Sequence, residues 1–282
     1  MKVLVCVACE SGAGPQLSFG RILAMLDTSA ELTLLHVLAP GGDRGAAEAC
    51  LSEARGKLDC GEVAVKIRRG DPLSEIVAEL EEGGYDLAVL GPNEAPGLKR
   101  HLLGSVTAQV VRRAKSSVLV AQQARSELGR ILICTGGAEV AEDVIETGAW
   151  IAQAVGARAT LLHVVTPVPS MYTGLGELDE SLSELLRTDT PVARHLRHGA
   201  EILDQYRVSA ELRLRYGVVA DEIIREAREG NNDLVLLGAA KGRAKLKRLV
   251  LGEVTEQVVQ RSPRSVLVVR RALGGRLGRG SA

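Results

Sequence analysis

The stretch between Gly91 and Thr107 is where this sequence is best equipped for chemistry. Gly91, Gly97 and Gly104 are small enough to let backbone amides approach an anion, and Ser105, Val106 and Thr107 then enter a run of helical period. A helix N-terminus offers unpaired N–H groups and positive potential, so the arrangement suits a phosphate. The hydroxyls of Ser105 and Thr107 can add donors. A second stretch, Gly238, Gly242, Gly252 and Thr255, repeats the pattern but carries Glu253 where Ser105 stands. A carboxylate there can cap the helix and occupy the place of a phosphate. Two unit charges about 4 Å apart repel by roughly 4 kcal/mol at an effective dielectric of about 20, so the second stretch is expected to bind triphosphate poorly. Basic residues beside each loop, Lys99 and Arg100, then Lys245, Lys247 and Arg248, could steer phosphate inward; a solvated helix end explains them equally well.

Cys6 and Cys9 form a Cys-x-x-Cys that could serve as a redox dithiol. Alternation along a strand separates such positions, and one of the two should point into the packing. Cys50 and Cys60 fall in a helix and at its exit without a matching pair, so a zinc site lacks its ligands. His36 and His163 end equivalent strands, which favours a shared packing or loop-positioning role over catalysis. There is no Gly-x-Ser-x-Gly, and no Gly-x-Gly-x-x-Gly after either first strand. Catalysis is not indicated.

The elements that must position these loops occur twice. Asp86–Gly91 reappears as Asp233–Gly238, Leu98–Val111 as Leu246–Val259, Ser117–Ala121 as Ser265–Val269, and Glu31–Val37 as Ala159–Val164. Matched elements in the same order indicate duplication. In each copy short β-branched runs alternate with helical stretches, the signature of βαβ units and a parallel sheet. Strands are expected at about 2–8, 31–37, 63–69, 86–91 and 117–121, then at 130–135, 159–165, 209–216, 233–238 and 265–270. Helices are expected over 71–82 and 219–229. The copies are placed at 1–126 and 127–272, with the Gly/Arg-rich 273–282 as a disordered tail. The second copy also carries an extra segment, 166–191, either a lid or a tolerated surface loop.

Composition bounds the setting. Of 282 residues, 46% are hydrophobic and 25% charged, ordinary for a globular chain, while aromatics at 2% leave the core to aliphatic side chains. Lys plus Arg balances Asp plus Glu at 35 each, so nothing draws the molecule to nucleic acid or a membrane surface. No apolar run approaches the roughly 20 residues of a membrane helix. Five cysteines without framework spacing fit a reducing cytoplasm better than a disulfide-stapled secreted chain.

Both copies resemble the universal stress protein family, whose signature is glycine, two residues, glycine, nine residues, glycine and then serine or threonine. Gly91, Gly104 and Ser105 stand in register, with Glu94 in place of the second glycine; Gly238, Gly242 and Gly252 carry one extra residue between the first two. The resemblance implies an α/β fold of two tandem, doubly wound, parallel five-stranded sheets of order 3-2-1-4-5, Rossmann-like and of the adenine nucleotide alpha hydrolase type. Their closing strands are expected to meet as an intramolecular pseudo-dimer. It also implies ATP, with or without magnesium, bound where the loops after strands one and four meet. ATP-binding members carry an aspartate just after strand one. Here Ala8, Cys9 and Glu10 stand there, Glu10 being the nearest substitute, and Thr135, Gly136 and Gly137 in the second copy. The backbone at Val37 and at Val164 would face adenine. The expected function is a stress-response or signalling protein binding ATP, the first copy ahead of the second, with at most slow hydrolysis. The alternatives are an adaptor with degraded nucleotide sites, acting through protein partners as monomer or homodimer, and a dithiol redox protein.

Overall fold

The computed structural model describes residues 1–9, 14–91, 105–136, 141–166, 182–239 and 252–274. Five strands form the first copy: β1 Lys2–Cys6, β2 Glu31–Leu38, β3 Val63–Arg69, β4 Leu87–Leu90 and β5 Ser117–Val120. Five more form the second: β6 Arg130–Thr135, β7 Arg158–Val165, β8 Ala210–Tyr216, β9 Leu234–Gly238 and β10 Ser265–Val269. The helices are α1 Gly14–Leu26, α2 Arg44–Leu58, α3 Pro72–Gly83, α4 Ser105–Arg113, α5 Ala141–Val155, α6 Leu182–Arg187, α7 Pro191–Gln205, α8 Val219–Glu229 and α9 Glu253–Arg261.

Their starts follow from the local sequence. Asp71 accepts from the Ser74 amide at 2.9 Å and Pro72 fills the first helical position, where a missing N–H costs nothing. Thr190 and Pro191 open α7 in the same way, with the Ala193 amide at 3.3 Å. Gly70 and Gly217 end the third strand of each copy at φ +150° and +147°, and a Cβ on either would lie about 3 Å from Glu75 or Glu222. The positive φ is what requires glycine there.

The ten strands form one sheet of order β3-β2-β1-β4-β5-β10-β9-β6-β7-β8. Each half runs 3-2-1-4-5 and is parallel throughout; the halves meet in a single antiparallel step between β5 and β10. In that step Leu119 faces Leu267, Val118 faces Val268 and Val120 faces Val266. Leu119 and Leu267 are equivalent positions of the two copies, so a pseudo-twofold axis passes between them. Gln122 N donates to Ser265 Oγ and Arg270 N to Ser117 Oγ, both at 3.1 Å, repeating one bond on either side of that axis.

Successive strand residues point to opposite faces, so the sheet carries two apolar layers. Val3, Val5, Ile131 and Ile133 pack beneath α1, α2, α5 and α7, while Leu4, Leu90, Leu132 and Val235 pack beneath α3, α4, α8 and α9. Residue 273, expected to open a disordered tail, is instead packed. Leu273 is 4% exposed and its amide donates to Thr147 Oγ1 at 3.0 Å. Residues 275–282 lie outside the described residues.

Candidate functional site

In the first copy the carboxyl ends of β1, β2 and β4 and the start of α4 surround a cleft of about 1220 Å³. Small-molecule sites commonly measure roughly 300–1,000 Å³, so there is room for a nucleotide. The cleft lies where strand order reverses, with β1 between β2 on one side and β4 on the other. Outward loops diverge at such a point, leaving a crevice. Of the expected site residues, Ala8, Cys9, Val37, Gly91, Val106 and Thr107 line it. Ser105 is the exposed first residue of α4, at the same end of the sheet. Glu10, Glu94, Gly97, Gly104 and Gly242 lie outside the described residues, as do 167–181 of the extra segment and the basic residues Lys99, Arg100, Lys245, Lys247 and Arg248.

The threonines are placed differently from the expectation. Thr107 Oγ1 donates to Gly91 O at 3.2 Å and Thr255 Oγ1 to Gly238 O at 3.0 Å, and both side chains are buried. These hydroxyls tie the fourth helix of each copy to the end of its fourth strand. Ser105 is the hydroxyl left for a ligand. Glu253 also departs from the expectation: Gly252 is the N-cap of α9 with no side-chain capping bond, and Glu253 lies exposed, accepting from Gln257 Nε2 at 3.3 Å. An exposed carboxylate acts through water, where the same repulsion falls to about 1 kcal/mol. The charge objection to the second copy is correspondingly weak. Val164 stands at the end of β7, half-buried against the second core layer.

The histidines fill the positioning role. His36 Nδ1 bonds Val7 O at 2.8 Å, and His163 Nδ1 bonds Thr135 O at 3.0 Å. Each pins the turn after the first strand to the second. In the second copy His195 of α7 also hydrogen-bonds the Thr135 hydroxyl. Burial, together with nearby His163 and His198, holds the His195 pKa below the ordinary imidazole value.

The cysteines correct the sequence reading. Cys9 does not partner Cys6 but is joined by a disulfide to Cys50 of α2, with 5.9 Å between the Cα atoms, and both line the cleft. Cys6 ends β1 while Cys9 lies in the turn beyond it, where it meets Cys50 of the helix that packs against α1, β2 and β3. Cys6 is a packing residue whose thiol is pushed up to about 12, by burial first and then by the charge of Glu79. Each copy thus ties the end of its first strand to the helix after its second, through Cys9–Cys50 in one and Thr135–His195 in the other. Among the described residues there is no cluster of three or more metal-ligating side chains.

Gln16 escaped the sequence reading. It is the third residue of α1, 3% exposed, and lines the cleft; its buried Oε1 has no hydrogen-bond partner among the described residues. The signal was a comparison of the copies at the first helix, where the equivalent of Gln16 is Val144.

The model of the Universal stress protein family matches residues 1–122 and again 127–270. A universal stress protein of Methanocaldococcus jannaschii is 28% identical over 142 residues, covering 50% of this chain and 82% of that protein. A Pseudomonas aeruginosa protein, itself described as functionally unknown, superposes with a TM-score of 0.71 at 20% identity, over 96% of this chain and 92% of its own. That likeness concerns the fold alone. A universal stress protein solved in complex with cAMP aligns with 51% of this chain and 98% of its own, at 21% identity and TM-score 0.38.

Proposed function

The chain belongs to the universal stress protein family, with two tandem copies of its domain, and we propose that the first copy is its nucleotide site, taking an adenine nucleotide such as ATP. The observation that carries this reading is the cleft of about 1220 Å³ at the strand-order reversal of the first copy. Its chemistry is graded as a nucleotide requires. Apolar Val7, Leu35 and Val37 line the side toward β2 and suit a base; Gly91 and the N-terminal turn of α4 lie on the other and suit phosphate. The buried Gln16 Oε1, without a partner among the described residues, fits a polar ligand. The α4 amides and Ser105 would hold the phosphates, and the backbone at Val37 the base. Bound magnesium would neutralise phosphate charge. The role is that of a nucleotide-responsive stress or signalling protein with no more than slow hydrolysis.

Two measurements test the reading. Freshly purified protein should release an adenine nucleotide identifiable by absorbance and mass. Calorimetric titration of ATP with magnesium should show one site that Ser105→Glu weakens by about fivefold, the effect of roughly 1 kcal/mol of repulsion at an exposed position. Glu253→Ser should leave the titration unchanged, because Glu253 is directed along its helix. No bound nucleotide and no heat of binding would remove the proposal.

A further inference from the structure

We propose that Gln16 reads the ribose of the nucleotide, so that the first copy selects ribonucleotides over their deoxy forms; this rests on the first copy being the nucleotide site. Gln16 is 3% exposed and its buried Oε1 has no partner among the described residues. Buried polar groups in folded proteins are almost always hydrogen-bonded, and one that is not points to a missing partner. The amide lies against Gly91: a Cβ built on that glycine would sit 2.8 Å from Gln16 Oε1 and 3.3 Å from Nε2. Any side chain at Gly91 would therefore displace it, and the glycine leaves the amide its place in the cleft wall.

That place identifies the ligand group. Gln16 rises from the helix after β1 and lies against Gly91 at the end of β4, and Gly91 O in turn accepts from Thr107 in the first turn of α4, where the phosphate end lies. The base end is at Val37 on β2, beyond β1. The group that links base to phosphate in a nucleotide is the sugar. Its hydroxyls both donate and accept, so they can satisfy either end of a carboxamide whichever way it is turned.

The second copy supplies the contrast. Gly20 and Gly148 meet Val5 and Ile133, equivalent residues of β1 and β6, which fixes the alignment of α1 with α5. At that alignment Gln16 corresponds to Val144, 1% exposed within the core. A position that packs well as valine in one copy is polar in the other, in the wall of the cleft, with no partner for its Oε1 among the described residues.

The full chain should be titrated with ATP, 2′-deoxyATP and 3′-deoxyATP, as wild type and as Gln16→Leu and Gln16→Val. The wild type should bind at least one deoxy nucleotide about tenfold more weakly than ATP. Both variants should bind all three equally, at the level of the weaker deoxy form. Equal binding of all three by the wild type, an unchanged preference in the variants, or variants that bind nothing would each overturn the role of Gln16 while leaving the nucleotide site standing. A wild type that binds none of them overturns both.

Discussion

Thr107 and Thr255 occupy the place of phosphate-binding hydroxyls, yet each donates to a glycine carbonyl of its own fourth strand. Residue type alone could not separate the two roles, since a hydroxyl suits either and the choice depends on which face of the first helical turn meets the strand end. The cysteines show the same limit. Cys134 is buried and Cys6 half-buried in the cleft wall, and desolvation raises both thiols, that of Cys6 to about 12; Cys60, also half-buried, is raised by burial and then by Asp59. With Cys9 and Cys50 joined, three thiols remain free. We expect one of these, Cys60, to react readily with a thiol reagent in the folded protein, all three after unfolding without reductant, and all five after reduction. The bridge spans 41 residues, and closing a loop of that length constrains the unfolded chain by about 4 kcal/mol. Urea unfolding should show a loss of that order in Cys50→Ala; five reactive thiols in unreduced, unfolded protein would show that the bridge is absent.

At the scale of elements, each copy builds the same charge network between its third strand and third helix. Arg68 contacts Glu75, Glu79 and Glu82 at 2.7, 2.9 and 2.8 Å, and Arg215 contacts Glu222, Glu226 and Glu229. The helical spacing of these glutamates puts all three on one face toward the strand. Glu79 is 3% exposed; burial pushes its pKa up, but hydrogen bonds from Lys66, Arg68 and Tyr85 outweigh burial and hold it below the ordinary value. A carboxylate held low contributes its stability in full above the unfolded-state pKa of about 4.3 and loses it as pH falls through the folded value. The midpoint of thermal unfolding should therefore fall as pH drops below about 4. Arg68→Leu should cost roughly 3 kcal/mol at neutral pH by leaving a buried carboxylate short of a partner, and should flatten that acid dependence. An unchanged acid limb in the variant would show that Glu79 is not its source.

For the whole molecule, the antiparallel seam replaces what would otherwise be two exposed edge strands. A bare edge of alternating N–H and C=O groups invites pairing with another chain, and here β5 and β10 cover each other within one chain. Arg112–Glu256 between α4 and α9, and Arg271–Asp86 and Arg125–Asp233 across the halves, reinforce the join. Leu119 faces its own counterpart Leu267. Two copies of the first half can therefore pair in the same register, Leu119 against Leu119. Residues 1–126 expressed alone should sediment as a dimer that dissociates on dilution, whereas the full chain should show no association through this edge. A first half that stays monomeric at high concentration would contradict the seam's role.

The sequence by itself determined what is local or periodic. Strand alternation and helical runs act over a few residues, so together with the ordered repeat they placed every strand within about two residues of where it lies. The pseudo-dimer was expected from the family resemblance, and the repeated closing strands Ser117–Ala121 and Ser265–Val269 supply its matching apolar edges. Tertiary structure alone decided which side chains converge. Cys9 meets Cys50, Gln16 reaches Gly91, and Thr107 turns from a phosphate donor into a strand–helix tie. These pairings join elements distant in sequence, and their partners are fixed by sheet order and by the angle at which each helix crosses the strands. No spacing along the chain encodes that angle.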